Sequence, residues 1–157
     1  MPPQFLFDLS QIDLTQIMFG PEAIREMNPH RGQMEMLNGV IWADPSKDEI
    51  LGYKDIGANE FWVDGHIPGR PLFPGVLMIE TAAQLASFYT KKFIGWKGFV
   101  GFGAADKCRF RAQVVPGQRL LVLAKKIWER HRRIYCQTQG IVDGQLVYEG
   151  DIVGTQM

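Results

Sequence analysis

Asp64-Gly65-His66-Ile67-Pro68-Gly69-Arg70-Pro71-Leu72-Phe73-Pro74-Gly75 runs directly into Val76-Leu77-Met78-Ile79-Glu80-Thr81-Ala82-Ala83-Gln84-Leu85-Ala86-Ser87-Phe88-Tyr89. The first half is too dense in proline and glycine for regular structure. The second continues to Phe93 without either residue. Its length, its alanines and its lack of period-2 alternation predict a helix over residues 76–93. Apolar side chains lie almost all round it, so it belongs at the centre of the molecule. Only Thr90-Lys91-Lys92 looks solvated, and cations suit a helix C-terminus.

Outward from this helix the pattern is β. Strand-like runs cover residues 99–112, 120–128, 134–142 and 145–153, punctuated by Pro116-Gly117 and Asp143-Gly144. Asp-Gly between two such runs is a strong hairpin signal. Upstream, residues 34–42 and 49–56 read as two further strands, separated by Asp44-Pro45-Ser46. Residues 1–27 form a leader with a short helix over 21–27, where Pro21 suits a first helical position. The remainder, 28–157, is one domain. A long central helix with several antiparallel strands is α+β, the sheet wrapped about the helix.

The bulk properties narrow the function classes. A chain of 157 residues that is 46% hydrophobic and 22% charged can build a real core and is not disordered. Glu80 interrupts the best apolar run, so no membrane span is expected. Met1-Pro2-Pro3-Gln4 does not read as a signal peptide. Cys108 and Cys136 are too few and too isolated for a metal site or a disulfide framework, which makes a reduced, cytoplasmic protein the expectation. Residues 91–133 hold twelve basic side chains against only Asp106 and Glu129. A basic face suits an acidic partner, although strands commonly carry Lys and Arg on their wet side. No nucleic-acid motif accompanies it.

Three features could carry chemistry. His66 lies in a rigid loop that fixes its ring relative to the helix, whereas His131 is expected to be solvated and His30 to bond local backbone. Glu80 puts a carboxylate in an apolar helix, at a cost of several kcal/mol if ionised and unpaired. Two readings stand: a structural pairing with Arg70, Arg109 or Gln84, or a carboxylic acid of raised pKa that holds a proton near neutral pH. Gly75 starts the helix, where free N–H groups and the dipole can stabilise an oxyanion. Together these suit proton removal beside a carbonyl with departure of a leaving group.

The stretch from Gly65 to Glu80, followed by Ala83-Gln84, closely resembles the signature of bacterial 3-hydroxyacyl-[acyl-carrier-protein] dehydratases of the FabZ type. The similarity extends to Pro29-His30-Arg31, Asn59-Glu60-Phe61, the segment from Gly103 to Arg111, and Val114-Val115-Pro116-Gly117. The resemblance implies a hotdog fold and loss of water from a 3-hydroxyacyl thioester to give a trans-2-enoyl thioester. It implies His66 as catalytic base, Glu80 as acid and the Gly75 amide on the thioester carbonyl, with no cofactor and no metal. It implies homodimers in which His66 and Glu80 of one site come from different protomers, gathered as hexamers. The acyl chain is expected along Ile67, Leu77, Met78, Phe88, Phe99 and Phe102. An acidic acyl carrier protein is expected to dock on Lys107, Arg109, Arg111 and Arg119. Ile67 stands where the family usually has phenylalanine, Gly32 to Asn38 departs from its more apolar run, and the leader is longer. A hotdog hydratase of coenzyme A thioesters, an acyl thioesterase and a non-catalytic acyl-thioester binder are the rival readings.

Overall fold

A computed structural model describes residues 4–157, so the first three residues of the leader lie outside it. Helix α1 (Pro21–Met27) is followed by strands β1 (Gly39–Asp44) and β2 (Glu49–Asp55), helix α2 (Gly75–Tyr89), and strands β3 (Val100–Phe110), β4 (Arg119–Arg130), β5 (Arg133–Val142) and β6 (Gln145–Gln156). The six strands form one antiparallel sheet in the order β1-β2-β4-β5-β6-β3. The sheet curves around α2. This is the α+β hotdog arrangement expected from the sequence.

Period-2 alternation gives the sheet two apolar faces. On β2 and β4, Ile50, Leu120, Val122 and Ala124 face α2 and pack with Leu85 and Phe88. Leu51, Tyr53, Leu121 and Leu123 point the other way, into a second cluster. Residues from the N-terminal segment, Phe5, Leu6, Phe7, Leu9 and Ile12, cover that outer face. The Gln139 carboxamide pins the segment, accepting from the Leu6 N–H at 2.8 Å and donating to the Gln4 carbonyl at 3.0 Å. Gly52 lets helix and sheet approach closely: a Cβ there would lie 2.9 Å from Leu85 Cδ1.

Both tight hairpins use positive φ. Asp143 and Gly144 join β5 to β6 at 50° and 77°, and His131 and Arg132 join β4 to β5 at 51° and 63°. These angles match the twist of antiparallel strands. Helix α2 ends in a π-helical turn (Thr90–Ile94) closed by Gly95 at φ 89°. Aromatic packing holds this end, with Phe19 and Phe93 against Phe88.

One strand expectation needs correction. Residues 34–42 do not form a continuous strand: Gly32–Met34 is a 3-10 turn and β1 begins only at Gly39. Met36 and Leu37 are buried, as their apolarity demands, but their N–H groups donate to Gln84 Oε1 rather than to a neighbouring strand.

Candidate functional site

The loop before α2 is irregular yet tightly bonded. Trp62 and Phe73, both buried, meet edge-on with centroids 5.4 Å apart. His66 N–H donates to the Trp62 carbonyl at 2.8 Å, and Leu72 N–H returns to the His66 carbonyl at 2.9 Å. The imidazole is exposed, with Nδ1 2.8 Å from the Leu72 carbonyl oxygen. A carbonyl only accepts, so Nδ1 carries the proton and neutral His66 presents Nε2 as its basic nitrogen.

Gly75 opens α2. The Leu77 and Met78 N–H groups return to the Pro74 carbonyl, and among the described residues none accepts from Gly75 N–H. The residue is also required sterically, because a Cβ would lie 2.8 Å from the Phe110 ring.

Glu80 sits in the second turn, half-buried. Its Oε1 accepts from Gln84 Nε2 at 2.9 Å and lies 3.4 Å from His30 Nε2, while Oε2 has no partner among the described residues. Gln84 is locked in turn. Its second Nε2 hydrogen goes to the Met34 carbonyl at 2.7 Å, and its Oε1 accepts from Met36 and Leu37. Neither arginine pairs with Glu80; Arg70 instead donates to Gln113. Burial pushes the Glu80 carboxyl up, but donation from His30 and Gln84 outweighs it and holds the group below its ordinary range. Of the two readings of Glu80, the pairing with Gln84 is therefore present, and the carboxyl of raised pKa is not. The His30 expectation is corrected: its ring faces Glu80, not local backbone.

Glu80 and His30 line a mainly apolar cavity of about 180 Å³ between α2 and strands β3, β5 and β6. The helix side is Glu80, Ala83, Ala86, Ser87 and Thr90, and the sheet side includes Phe99, Phe102, Ile134 and Cys136. At 1.5 Å rise per residue, the ten steps from Glu80 to Thr90 span roughly 15 Å. Burial pushes the Cys136 thiol up to about 12, so it is an inert wall.

Phe99 and Phe102 thus line the cavity, each about half exposed. Met78 and Phe88 do not; both are buried in the main core, and Leu77 packs against that core. Ile67 is exposed on the loop, away from the cavity lining. His66 is likewise absent from that lining, so a single chain does not bring His66 and Glu80 into one cavity. Of the four basic residues, Arg111 pairs with Glu149 and Arg119 with Asp55, while Lys107 and Arg109 are exposed without an ion pair among the described residues. Sequence reasoning missed Ala83, Ala86, Ser87 and Thr90, although small residues recurring at helical spacing from Glu80 mark the stripe. It also missed the role of His30, for which a single sequence carries no local signal.

Residues 28–151 match the FabA-like domain family. The chain is 36% identical over 135 residues to the 3-hydroxyacyl-[acyl-carrier-protein] dehydratase FabZ of Desulfotalea psychrophila, covering 84% of this chain and 89% of that one. It is 35% identical over 136 residues to the FabZ of Streptococcus gordonii, covering 86% and 96%. Among solved structures it resembles the dehydratase heterocomplex ApeI:P from Xenorhabdus doucetiae, at TM-score 0.71 and 14% identity over 85% of this chain and 90% of that one. It also resembles Cj0977, a sigma28-regulated virulence protein from Campylobacter jejuni, at TM-score 0.63 and 17% identity over 87% and 88%. Identities this low speak to the fold alone.

Proposed function

Because the chain belongs to the FabA-like family, we propose that His66 and Glu80 are the base and acid of a FabZ-type dehydratase acting across two protomers. The protein is a 3-hydroxyacyl-[acyl-carrier-protein] dehydratase, a hydro-lyase of fatty acid biosynthesis. His66 Nε2 takes the proton from the carbon beside the thioester. The Gly75 N–H, at the positive end of α2, stabilises the enolate-like oxygen. The β-hydroxyl leaves as water with a proton from the Glu80 carboxyl, and the acyl chain lies in the cavity between Phe99 and the Ala83–Thr90 stripe.

The observation that carries the reading is the Glu80 carboxylate: Oε1 meets Gln84 and His30, Oε2 has no partner among the described residues, and the residue lines a mainly apolar cavity. A second copy supplies His66. Strand β3 is the free edge of the sheet and carries the half-exposed Phe102 and Phe110, so it is the edge on which that copy pairs. The exposed Lys107 and Arg109 on the same strand face the acidic carrier protein.

Complementation tests this reading. His66→Ala and Glu80→Gln proteins should each be inactive in an assay for enoyl thioester on acyl carrier protein. Unfolded together and refolded as a mixture, they should regain about one quarter of wild-type activity, because half the dimers are mixed and each mixed dimer holds one intact site. No recovery would place both groups in one protomer, and free acid as the product would identify a thioesterase.

A further inference from the structure

His30 lines two cavities. One is the apolar cavity that holds Glu80; the other, of about 150 Å³, is lined by Asn28, Arg25, Glu35, Asn38 and Gln84. His30 is the one residue shared by both linings. Polar and apolar groups share the lining of the second cavity, with Pro21, Ile24 and Leu37 among the latter, and it is large enough for several water molecules. Two buried atoms on its lining residues, His30 Nδ1 and Asn28 Oδ1, have no hydrogen-bond partner among the described residues. The other ring nitrogen, Nε2, lies 3.4 Å from Glu80 Oε1. An imidazole set between a carboxylate and a compartment that can hold water has the geometry of a proton shuttle.

We propose that His30 returns a proton to Glu80 after each turnover, drawing it from water in the second cavity. This rests on the reading of Glu80 as the acid. In dehydration the C–H proton passes to His66, the C–O bond breaks, and the Glu80 proton departs in the product water. Resetting the site therefore needs one proton lost from His66 and one gained by Glu80. The N–H bond at His30 Nε2 breaks as an O–H bond forms at Glu80 Oε1, Nδ1 takes a proton from water in the second cavity, and a ring flip returns an N–H to the Glu80 side; the proton lost from His66 to solvent balances the hydroxide left behind. No electrons change hands. Gln84 also touches Oε1, but a carboxamide cannot serve as the donor because it does not exchange protons readily. The other charged groups around His30 are the Arg25–Glu35 ion pair on the second cavity and Arg31, whose guanidinium donates to the His30 carbonyl at 2.7 Å.

The test is His30→Gln, which keeps an N–H toward Glu80 but cannot relay. Rapid-quench measurement of the first turnover is compared with steady-state kcat on acyl-carrier-protein substrate, in buffers with and without imidazole. Relay predicts a first turnover within about twofold of wild type, a steady-state kcat at least about tenfold lower, and recovery as imidazole is added. An unchanged kcat would overturn the proposal. So would equal losses in both phases with no response to imidazole, since those describe a group that only orients Glu80. If His30→Gln melts below assay temperature, His30→Asn is read in the same way. Activity surviving in Glu80→Gln would instead refute the dehydratase site itself, whatever His30 does.

Discussion

The two halves of α2 lie on one rod and are held by opposite means. In the N-terminal half, Glu80 and Gln84 are fixed by polar, directional hydrogen bonds that reach back to residues 30–37. In the C-terminal half, Phe88 and Tyr89 are buried among Phe19 and Phe93, and packing does the holding. Direction matters where a proton must be placed; volume matters where a helix must stay put. The halves should therefore separate cleanly under mutation, one losing rate and the other stability.

The largest expected effect is on rate. Glu80→Gln should lower kcat by ~10²–10⁴-fold while the melting temperature stays close to wild type, as shown by scanning calorimetry beside the enoyl-product assay. A large fall in melting temperature would erase the contrast. Phe88→Ala should do the reverse, costing about 3–5 kcal/mol in urea unfolding while the molecules that remain folded keep their kcat. Gly75→Ala sits at the junction and should show both: overpacking against Phe110 at about 1–3 kcal/mol, together with a lower kcat. Loss of stability alone would separate Gly75 from the carbonyl.

Two smaller effects sharpen the contrast. The folded Glu80 carboxyl titrates below its unfolded value. It therefore adds stability that is complete above the unfolded value and lost as pH falls through the folded one. Glu80→Gln should flatten that acid limb in urea titrations at successive pH values, and an unaltered limb would show that other carboxylates govern it. Smallest is Tyr89→Phe, which removes the 2.8 Å hydrogen bond to Asp48 and should cost about 1 kcal/mol by urea unfolding with no change in kcat.

The same contrast explains what could be read from residues alone. The helix was legible because a long run lacks proline and glycine, and the β5–β6 hairpin because Asp143-Gly144 suits two positive φ angles. The start of β1 was not: Met36 and Leu37 are as apolar as strand residues, but a carboxamide nearly fifty residues away takes their N–H groups. His30 was misread for the same reason, its partner being fifty residues distant. Met78 and Phe88 lie in the core and not on the cavity, a distinction the sequence does not show because a helix apolar on nearly all sides does not reveal which side borders empty space. Long-range polar contacts leave no local trace, whereas helix period and turn chemistry do.

The N-terminal segment has one more bond of consequence. Met18 and Phe19 N–H groups both donate to the Val40 carbonyl, and Val40 N–H donates to Phe19. Polymerising a β-protein into fibrils needs two available flanks per molecule, one to receive and one to offer. Here the β1 flank is already taken near its start, at Val40, so it offers fewer free backbone groups to a neighbouring strand than the β3 flank does.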